Sequence, residues 1–337
     1  MDLRQLNAVI AIAEHGSFSA AADALATVQS NVSTHVKKLE RELGTVLVDR
    51  SNGELTEAGQ LVVDRARRVI GELDAITSDV TALSQEVVGT VRLGAIGTAA
   101  RWIVPLLLDV VPDRHPLLHL VFVEATALGL DAQLALGQVD LAVITLPASG
   151  TEVRTIALFE EELGLVVPRG HPLATGGPVD PAVLPELPLM LPLPGSSYRD
   201  ELDAVARAAG VALRPRAEMD SLRLIATLTF EGCGFSILPA GALPSFLGDS
   251  WVHVPVRGLS PRLVGVAQRR RGMPGAPVRA LLDILSEVVL DESRTPNGVR
   301  AVAHAVPPGV LSGDSPRVGS APPRRVGFSP DGAALST

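Results

Sequence analysis

The stretch FSAAADALATVQSNVSTHVKKLERELG, residues 18–44, decides the architecture of the first part of the chain. From Gln29 to Leu43 the apolar residues Val32, Val36, Leu39 and Leu43 fall within an arc of about 60° when each residue turns the helical wheel by about 100°. That face is expected to be buried. On the opposite side stand Ser30, Thr34, Lys37, Lys38 and Arg41, with Asn31, Ser33 and His35 on the flanks and Gln29 at the start. Small hydrogen-bonding residues near a helix N-terminus reach base edges in a major groove, and cations further along meet phosphates. A solvated helix face would carry the same residue types. A shorter helix, SAAADALA, capped by Ser17 or Ser19, precedes it across a tight turn at Thr27 and Val28, and two helices so joined favour a helix-turn-helix.

Working outward, Leu3 to Glu14 places Leu6, Val9, Ile10 and Ala13 on one helical face and stops at Gly16. On the other side, Gly44 ends the 29–43 helix, and VDRSNGELTEAGQ follows at residues 48–60. Together these segments resemble the winged helix-turn-helix of the LysR-type transcriptional regulators. The shared features are Ala20 to Ala22, Gln29, Ser33, Lys38 to Glu40, Leu43, Gly44, Arg50 at the wing and Leu55 to Gly59. Three positions depart from the family pattern: Ser30 stands where Pro is frequent, Val48 where an aromatic is common, and the wing SNGE carries Glu54 in place of a basic cluster. Through residue 57 there are five cationic against eight anionic side chains, a net of −3. Recognition-helix contacts and dimerisation must then supply more of the DNA affinity than the wing does. The resemblance implies DNA contacts from Gln29, Ser30, Asn31, Ser33, Thr34, His35, Lys37, Lys38, Arg41 and Arg50.

From residue 62 onward, Val62, Ala66, Val69, Leu73, Ile76, Val80, Leu83 and Val87 recur at alternating steps of four and three. A 3.5-residue period over more than three heptads is the pattern of a left-handed coiled coil, here spanning roughly 38 Å. The linker helix is therefore expected to pair two copies of the chain, the job such helices do in the LysR type. Two heads read a two-fold related operator.

Between Thr90 and Glu292, β-rich runs (TVRLGAIG, LLHLVFVEA, VDLAVITLP, ELGLVVPRG, LPLMLPLP, FSILPAG, RLVGVAQRR) alternate with amphipathic ones (IVPLLLDVV, LDAQLALG, RDELDAVARAAG, LRLIATLTFEG). Such alternation predicts an α/β unit with a parallel sheet covered on both faces. Gly94 and Gly97 lack a third glycine at the dinucleotide-binding spacing. Thr98, and later Ser196 and Ser197, fall at predicted helix N-termini, where free N–H groups favour an anion; helix capping alone explains them equally well. RHPLLHLVFVEA, LALGQVDLAVITLP, FEEELGLVVPRGHPLA and EGCGFSILP are similar to successive landmarks of the LysR effector-binding domain. The resemblance thus implies a periplasmic-binding-protein-like pair of lobes with a ligand between them. Its pocket positions carry over to Thr98, Thr126 and Ser197, with Arg101, Thr145, Tyr198 and Arg199 as secondary candidates.

Composition narrows the function further. At 337 residues the chain has room for two domains or more, and 47% hydrophobic with 20% charged residues describes a packed protein. A net charge of −8 excludes a generic polybasic coat for nucleic acid, so DNA binding must be local. The single cysteine, Cys233, excludes a disulfide framework and is expected to be a buried, inert thiol. No apolar run is long enough for a membrane span and no signal-peptide pattern opens the chain, so a cytoplasmic location is expected. The seven histidines (15, 35, 115, 119, 171, 253 and 304) form no metal motif and are expected on the surface or in loops. No nucleophile elbow, P-loop or cofactor fingerprint is present, and neither catalysis, a metal nor a cofactor is expected. Residues 294–337, with seven Pro and six Gly and no apolar periodicity, are expected to be disordered.

The resulting expectation is a multidomain chain. A winged helix-turn-helix covers residues 1–57 and a linker helix 58–88. A two-lobed α/β effector domain covers 89–292, with lobe I at about 91–161 and 268–292, lobe II at about 162–267, and a disordered tail at 293–337. The expected function is a ligand-responsive, sequence-specific DNA-binding regulator of the LysR type. Its partners would be a double-stranded operator, a small anionic effector, further copies of itself as a dimer or tetramer, and RNA polymerase. A solute-binding protein without catalytic activity is the alternative that the α/β region by itself allows.

Overall fold

The structure is a computed structural model and describes residues 1–82, 86–150, 152–174, 177–270 and 273–302. Helix α1 (Leu3–His15) starts on a capping box in which Asp2 accepts from the Gln5 N–H and the Gln5 side chain accepts from the Asp2 N–H. It ends at Gly16 in the left-handed region. Ser17 caps α2 (Phe18–Ala24) through the Ala20 N–H, and the turn that follows holds Ala26 at φ 49 before α3 (Gln29–Leu43) begins. Leu6, Val9, Ile12, Ala21, Val32, Val36 and Leu39 close a small core under the three helices. Leu43, placed on the buried face by the wheel, lies instead at the exposed end of α3.

The wing is a hairpin with one antiparallel bridge, Val48 to Leu55. Thr56 then starts α4 (Glu57–Ala82), donating from its hydroxyl to Val46 O and accepting from the Gly59 N–H. A Cβ on Gly59 would sit 2.0 Å from Leu47 O, so the wing backbone can lie against this helix only where no side chain intervenes. The LTEAG motif thus carries a backbone contact.

The heptad on α4 divides into two parts. Ala66 and the neighbouring Val63 are buried in the head core, whereas Val69, Leu73, Ile76 and Val80 are all exposed. Away from that open stripe the helix is tied to both its neighbours. Arg67 pairs with Glu14 of α1 at 3.3 Å, Arg68 donates to Ala135 O at 2.6 Å, and Asp79 accepts from the Ala276 N–H at 2.8 Å. The described helix ends at Ala82, short of the expected boundary at 88; residues 83–85 lie outside the described residues and 86–88 are not helical.

The α/β region follows as β1 (Gly89–Ala95), α5 (Gly97–Arg114), β2 (Leu118–Glu124), α6 (Ala127–Leu136), β3 (Leu141–Thr145), β4 (Val153–Glu161), β5 (Leu163–Pro168), β6 (Leu189–Pro192) and α7 (Ser197–Ala208). It continues with β7 (Pro215–Met219), α8 (Leu222–Phe230), β8 (Ser236–Pro239), β9 (Trp251–Pro255), β10 (Arg262–Arg269), α9 (Ala276–Leu290) and β11 (Val299–Ala301). The first lobe is a six-stranded sheet in the order β11-β4-β10-β3-β1-β2, packed against α5, α6 and α9. The second lobe holds β8-β5-β9 and β6-β7, joined by a single bridge at Leu189 to Phe235, and a further bridge ties Val179 to Val256 just past β9.

Three expectations are corrected here. The sheets are mixed: β1 runs parallel to β2 and β3, but β10 is antiparallel to both β3 and β4. The chain returns to the first lobe before Arg262, not at 268, because all of β10 pairs in the first sheet. Finally, residues 293–302 are ordered. Val299 is buried in the first-lobe core, and β11 pairs with the end of β4, with the Glu162 N–H donating to Gly298 O at 2.8 Å. The remainder of the expected disordered tail, 303–337, lies outside the described residues.

Candidate DNA-binding and effector sites

On α3 the burial of Val32, Val36 and Leu39 fixes which side faces outward. Ser30, Thr34, Lys37, Lys38 and Arg41 are exposed on that side, with exposed Asn31 on its flank and exposed Gln29 at the helix start. Thr34 returns its hydroxyl proton to Ser30 O at 2.7 Å, and the Asn31 amide donates to Thr27 Oγ1 at 3.0 Å, so two of the small polar groups are held by local bonds.

The other three candidates sit differently. Arg50 reaches back from the wing to Glu40 at 3.2 Å and to Ser33 Oγ at 3.3 Å, with its guanidinium over the Phe18 ring. Glu40 also accepts from the Leu47 N–H at 2.9 Å. Arg50, Ser33 and Glu40 therefore brace the wing against α3. His35 is half-buried, with Nδ1 enclosed. One residue missed in the sequence is Val28, the α3 N-cap, which is 60% exposed and makes no side-chain capping bond. An apolar residue where Ser or Asp is favoured was a readable signal.

In the α/β region the effector candidates separate. Thr98 is buried at the start of α5, and its hydroxyl accepts from Arg262 Nη2 at 2.6 Å. The Arg262 Nε donates to Glu161 Oε1 at 2.7 Å, and the second Glu161 oxygen accepts from the Gly241 N–H at 3.2 Å. Glu161 is wholly buried. A side chain at 241 would collide with both Glu161 Oε2 and Trp102 Nε1. Tyr198 donates to Ile237 O at 2.9 Å, and burial pushes its phenol above the usual value.

Thr126 serves as the N-cap of α6, accepting from the Gly129 N–H, and Ser196, not Ser197, caps α7. Ser197 is exposed and Thr145 is half-buried at the end of β3. Arg199 is buried on Asp203, Glu218 and Pro192 O, a bracing role within the second lobe. Among the described residues no hydrogen bond joins Thr98, Thr126 and Ser197. The two helix N-termini on which an anion was expected are thus partly taken up by the protein's own groups.

Contacts across the two lobes cluster at the N-terminal half of α5. Arg101 Nε donates to Ala242 O at 2.9 Å, Gly241 reaches Glu161, and Arg223 of α8 pairs with Glu124 at the end of β2. Sequence reasoning missed Glu161, Arg262, Glu124 and Arg223, because each partner is at least 99 residues away along the chain.

Two further expectations change. Cys233 is exposed, lying in the turn after α8 where its N–H donates to Leu228 O. His253 sits on β9, not in a loop; its Nε2 bonds Leu238 O at 2.9 Å and burial pushes its pKa down. No helix among the described residues is long and apolar enough to cross a membrane.

A helix with an outward polar and cationic face on a winged head, tied by one long helix to a two-lobed α/β receptor, is the build of a ligand-responsive transcription regulator. Residues 3–60 match the family described as bacterial regulatory helix-turn-helix protein, lysR family, and residues 84–290 match the LysR substrate binding domain. The chain belongs to the LysR family of DNA-binding transcriptional regulators with an effector-binding domain.

Among its relatives is a Mycobacterium leprae protein named "Probable hydrogen peroxide-inducible genes activator", 33% identical over 85% of this chain and 94% of that one. A full-length OxyR from Pseudomonas aeruginosa, carrying a cysteine-to-aspartate substitution, superposes with a TM-score of 0.69 at 26% identity, covering 88% of this chain and 96% of its own. The regulator CbnR in complex with its target DNA gives a TM-score of 0.61 at 25% identity, covering 85% and 98%.

Proposed function

We propose that this chain is a homo-oligomeric, non-catalytic regulator acting in the cytoplasm. It reads its operator with Gln29, Ser30, Asn31 and Thr34 and holds the DNA backbone with Lys37, Lys38 and Arg41. Ser33, His35 and Arg50 set the position of the recognition helix and wing. The observation that carries this reading is the outward face of α3, on which Ser30, Thr34, Lys37, Lys38 and Arg41 are exposed opposite the buried Val32, Val36 and Leu39, with exposed Asn31 on its flank and exposed Gln29 at the helix start. The open stripe Val69, Leu73, Ile76 and Val80 on α4 supports pairing of two copies, as the CbnR complex supports docking of such a head on DNA.

A small molecule would act by changing the relative stability of two lobe arrangements, since a ligand with equal affinity for both shifts nothing. Thr98, bonded to Arg262 of the Arg262–Glu161 pair, would respond to such a change, whereas Tyr198 is tied within the second lobe. The relatives' names concern hydrogen peroxide, but an intrachain disulfide needs two cysteines and this sequence has one. A disulfide switch within one chain is thereby excluded, and the proposed response is to a bound ligand.

The test begins with genome-wide recovery of bound fragments, then measures affinity for a recovered operator against salt. A Lys37→Ala, Lys38→Ala, Arg41→Ala variant should bind weakly, its log–log salt slope reduced by about three for each head engaged. Thr34→Ala should relax preference at one or two base pairs. Undiminished operator binding by the triple variant would refute the assignment.

A further inference from the structure

Val28 stands at the start of α3 with its side chain open to solvent and no capping bond. Ser, Thr, Asp and Asn are favoured at this position because their oxygen accepts from a free N–H of the first turn, and valine gives up that stabilisation. Elsewhere the chain keeps it: Asp2, Ser17, Thr126, Ser196 and Ser221 cap α1, α2, α6, α7 and α8 with such a bond. Ile96, the other branched apolar residue at the start of an α-helix among the described residues, is buried in the first-lobe core, so its packing offsets the missing cap. Val28 takes no part in the head core.

Its place is nevertheless fixed. On one side the Thr27 N–H donates to Ala22 O at 2.9 Å, and on the other the Val28 carbonyl accepts from the Asn31 N–H at 2.9 Å. Branching at Cβ leaves the side chain few rotamers. Two methyl groups are thus held out beside Gln29 and Ser30, both exposed, at the end of α3 that a helix-turn-helix directs into the major groove. The thymine C5-methyl is the one apolar group that the four bases add to the major-groove pattern of donors and acceptors.

We propose that Val28 is a specificity-determining residue, which reads a thymine in each half-site by packing its methyl groups against the thymine C5-methyl. This deepens the reading of α3 given above and rests on it. The apolar contact forms only on the operator, so the free head is less stable than a capped one while the bound head is more selective.

Uracil differs from thymine by that methyl alone and pairs in the same way, which isolates the contact. Binding of the full chain to a recovered operator is measured with each thymine of a half-site replaced in turn by uracil, for the native protein, Val28→Ser and Val28→Thr. At one position uracil should weaken the native protein about fourfold, the worth of one buried methyl. There Val28→Ser should bind thymine and uracil equally, and Val28→Thr, which keeps one methyl, should retain part of the difference. Both variants supply the missing cap, their hydroxyl accepting from a first-turn N–H as Ser17 accepts from the Ala20 N–H, and should slow hydrogen exchange of the α3 amides. A variant that gains protection while losing the thymine preference cannot owe that loss to misfolding.

Tolerance of uracil at every position by the native chain would overturn the inference, as would a penalty that Val28→Ser retains in full. Unaltered base preference in a Val28→Ser variant that no longer supports transcription would assign the residue to a protein partner such as RNA polymerase instead. Undiminished operator binding by the Lys37, Lys38, Arg41 triple variant counts against the reading of α3 itself. Weakened binding by that variant, without any uracil penalty in the native chain, removes the Val28 inference alone.

Discussion

Replacing Glu161 by Gln leaves the Arg262 guanidinium in place and removes the charge that balances it. Glu161 is fully buried and the Arg262 side chain is 8% exposed, so water cannot take over the role. Breaking a buried pair by removing one partner costs about 3–5 kcal/mol. The glutamine carbonyl can still accept from Arg262 or Gly241, and Thr98 Oγ1 keeps its bond, which places the expected loss near the lower end, about 3 kcal/mol. For a domain of this size each kcal/mol moves the midpoint by about 2–4 °C, so Tm should fall by about 6–12 °C. Both tryptophans, Trp102 and Trp251, lie in the effector domain, and their fluorescence reports its unfolding without interference from the head. A Glu161→Leu, Arg262→Met double variant removes both charges and should recover most of the loss. A single-variant loss below about 1 kcal/mol, or a double variant no more stable than the single one, would refute the reasoning.

Three further outcomes are expected. Asp at both Leu73 and Ile76 places unpaired charges on the open stripe of α4, and sedimentation should show the dimer lost together with operator binding; a fully active dimer would assign the stripe another role. Ala26→Gly relieves a left-handed alanine in the helix-turn-helix and should stabilise the head by up to about 1 kcal/mol in chemical denaturation, whereas destabilisation would show that the turn is not strained. His253 has its folded pKa below the unfolded value of about 6.5, so its stabilising contribution is complete above that pH and is lost as pH falls towards the folded pKa. His253→Gln should therefore flatten the stability profile below about pH 6.5, and an unchanged profile would place the titration elsewhere.

The head was legible because its information is local. Val32, Val36 and Leu39 set the buried face of α3 through spacing alone, and Gly16 and Gly44 mark helix ends that the structure places at those residues. Of the ten residues named for DNA contact, seven are exposed, five of them on the face so defined. Arg50 and Ser33 read as contacts because the sequence does not reveal that Glu40 lies beside them.

In the effector domain, helices and most central strands were readable from apolar runs. The strand VRTIALFEE at 153–161 was not, because polar residues interrupt its pattern where β11 and β10 flank it. β10 was recognised as a strand yet assigned to the wrong lobe, since a run such as RLVGVAQR carries no mark of its neighbours. The effector candidates fared least well for the same reason. Thr98 was read at a helix start and Thr126 was carried over from the resemblance, but whether each hydroxyl is taken depends on Arg262 and on the first turn of α6.

The helix α4 is seated at one end in the head, through Val63 and Ala66, and at the other on the first lobe, through Asp79 and Arg279. The first lobe grips it a second time at Arg68, which donates to Ala135 O, so the helix is bound to turn with that lobe. From Val63 to Asp79 the helix rises about 24 Å. A tilt of about 8° about its end at Asp79 would sweep the head grip through about 3.4 Å, the spacing of one base step along a DNA strand.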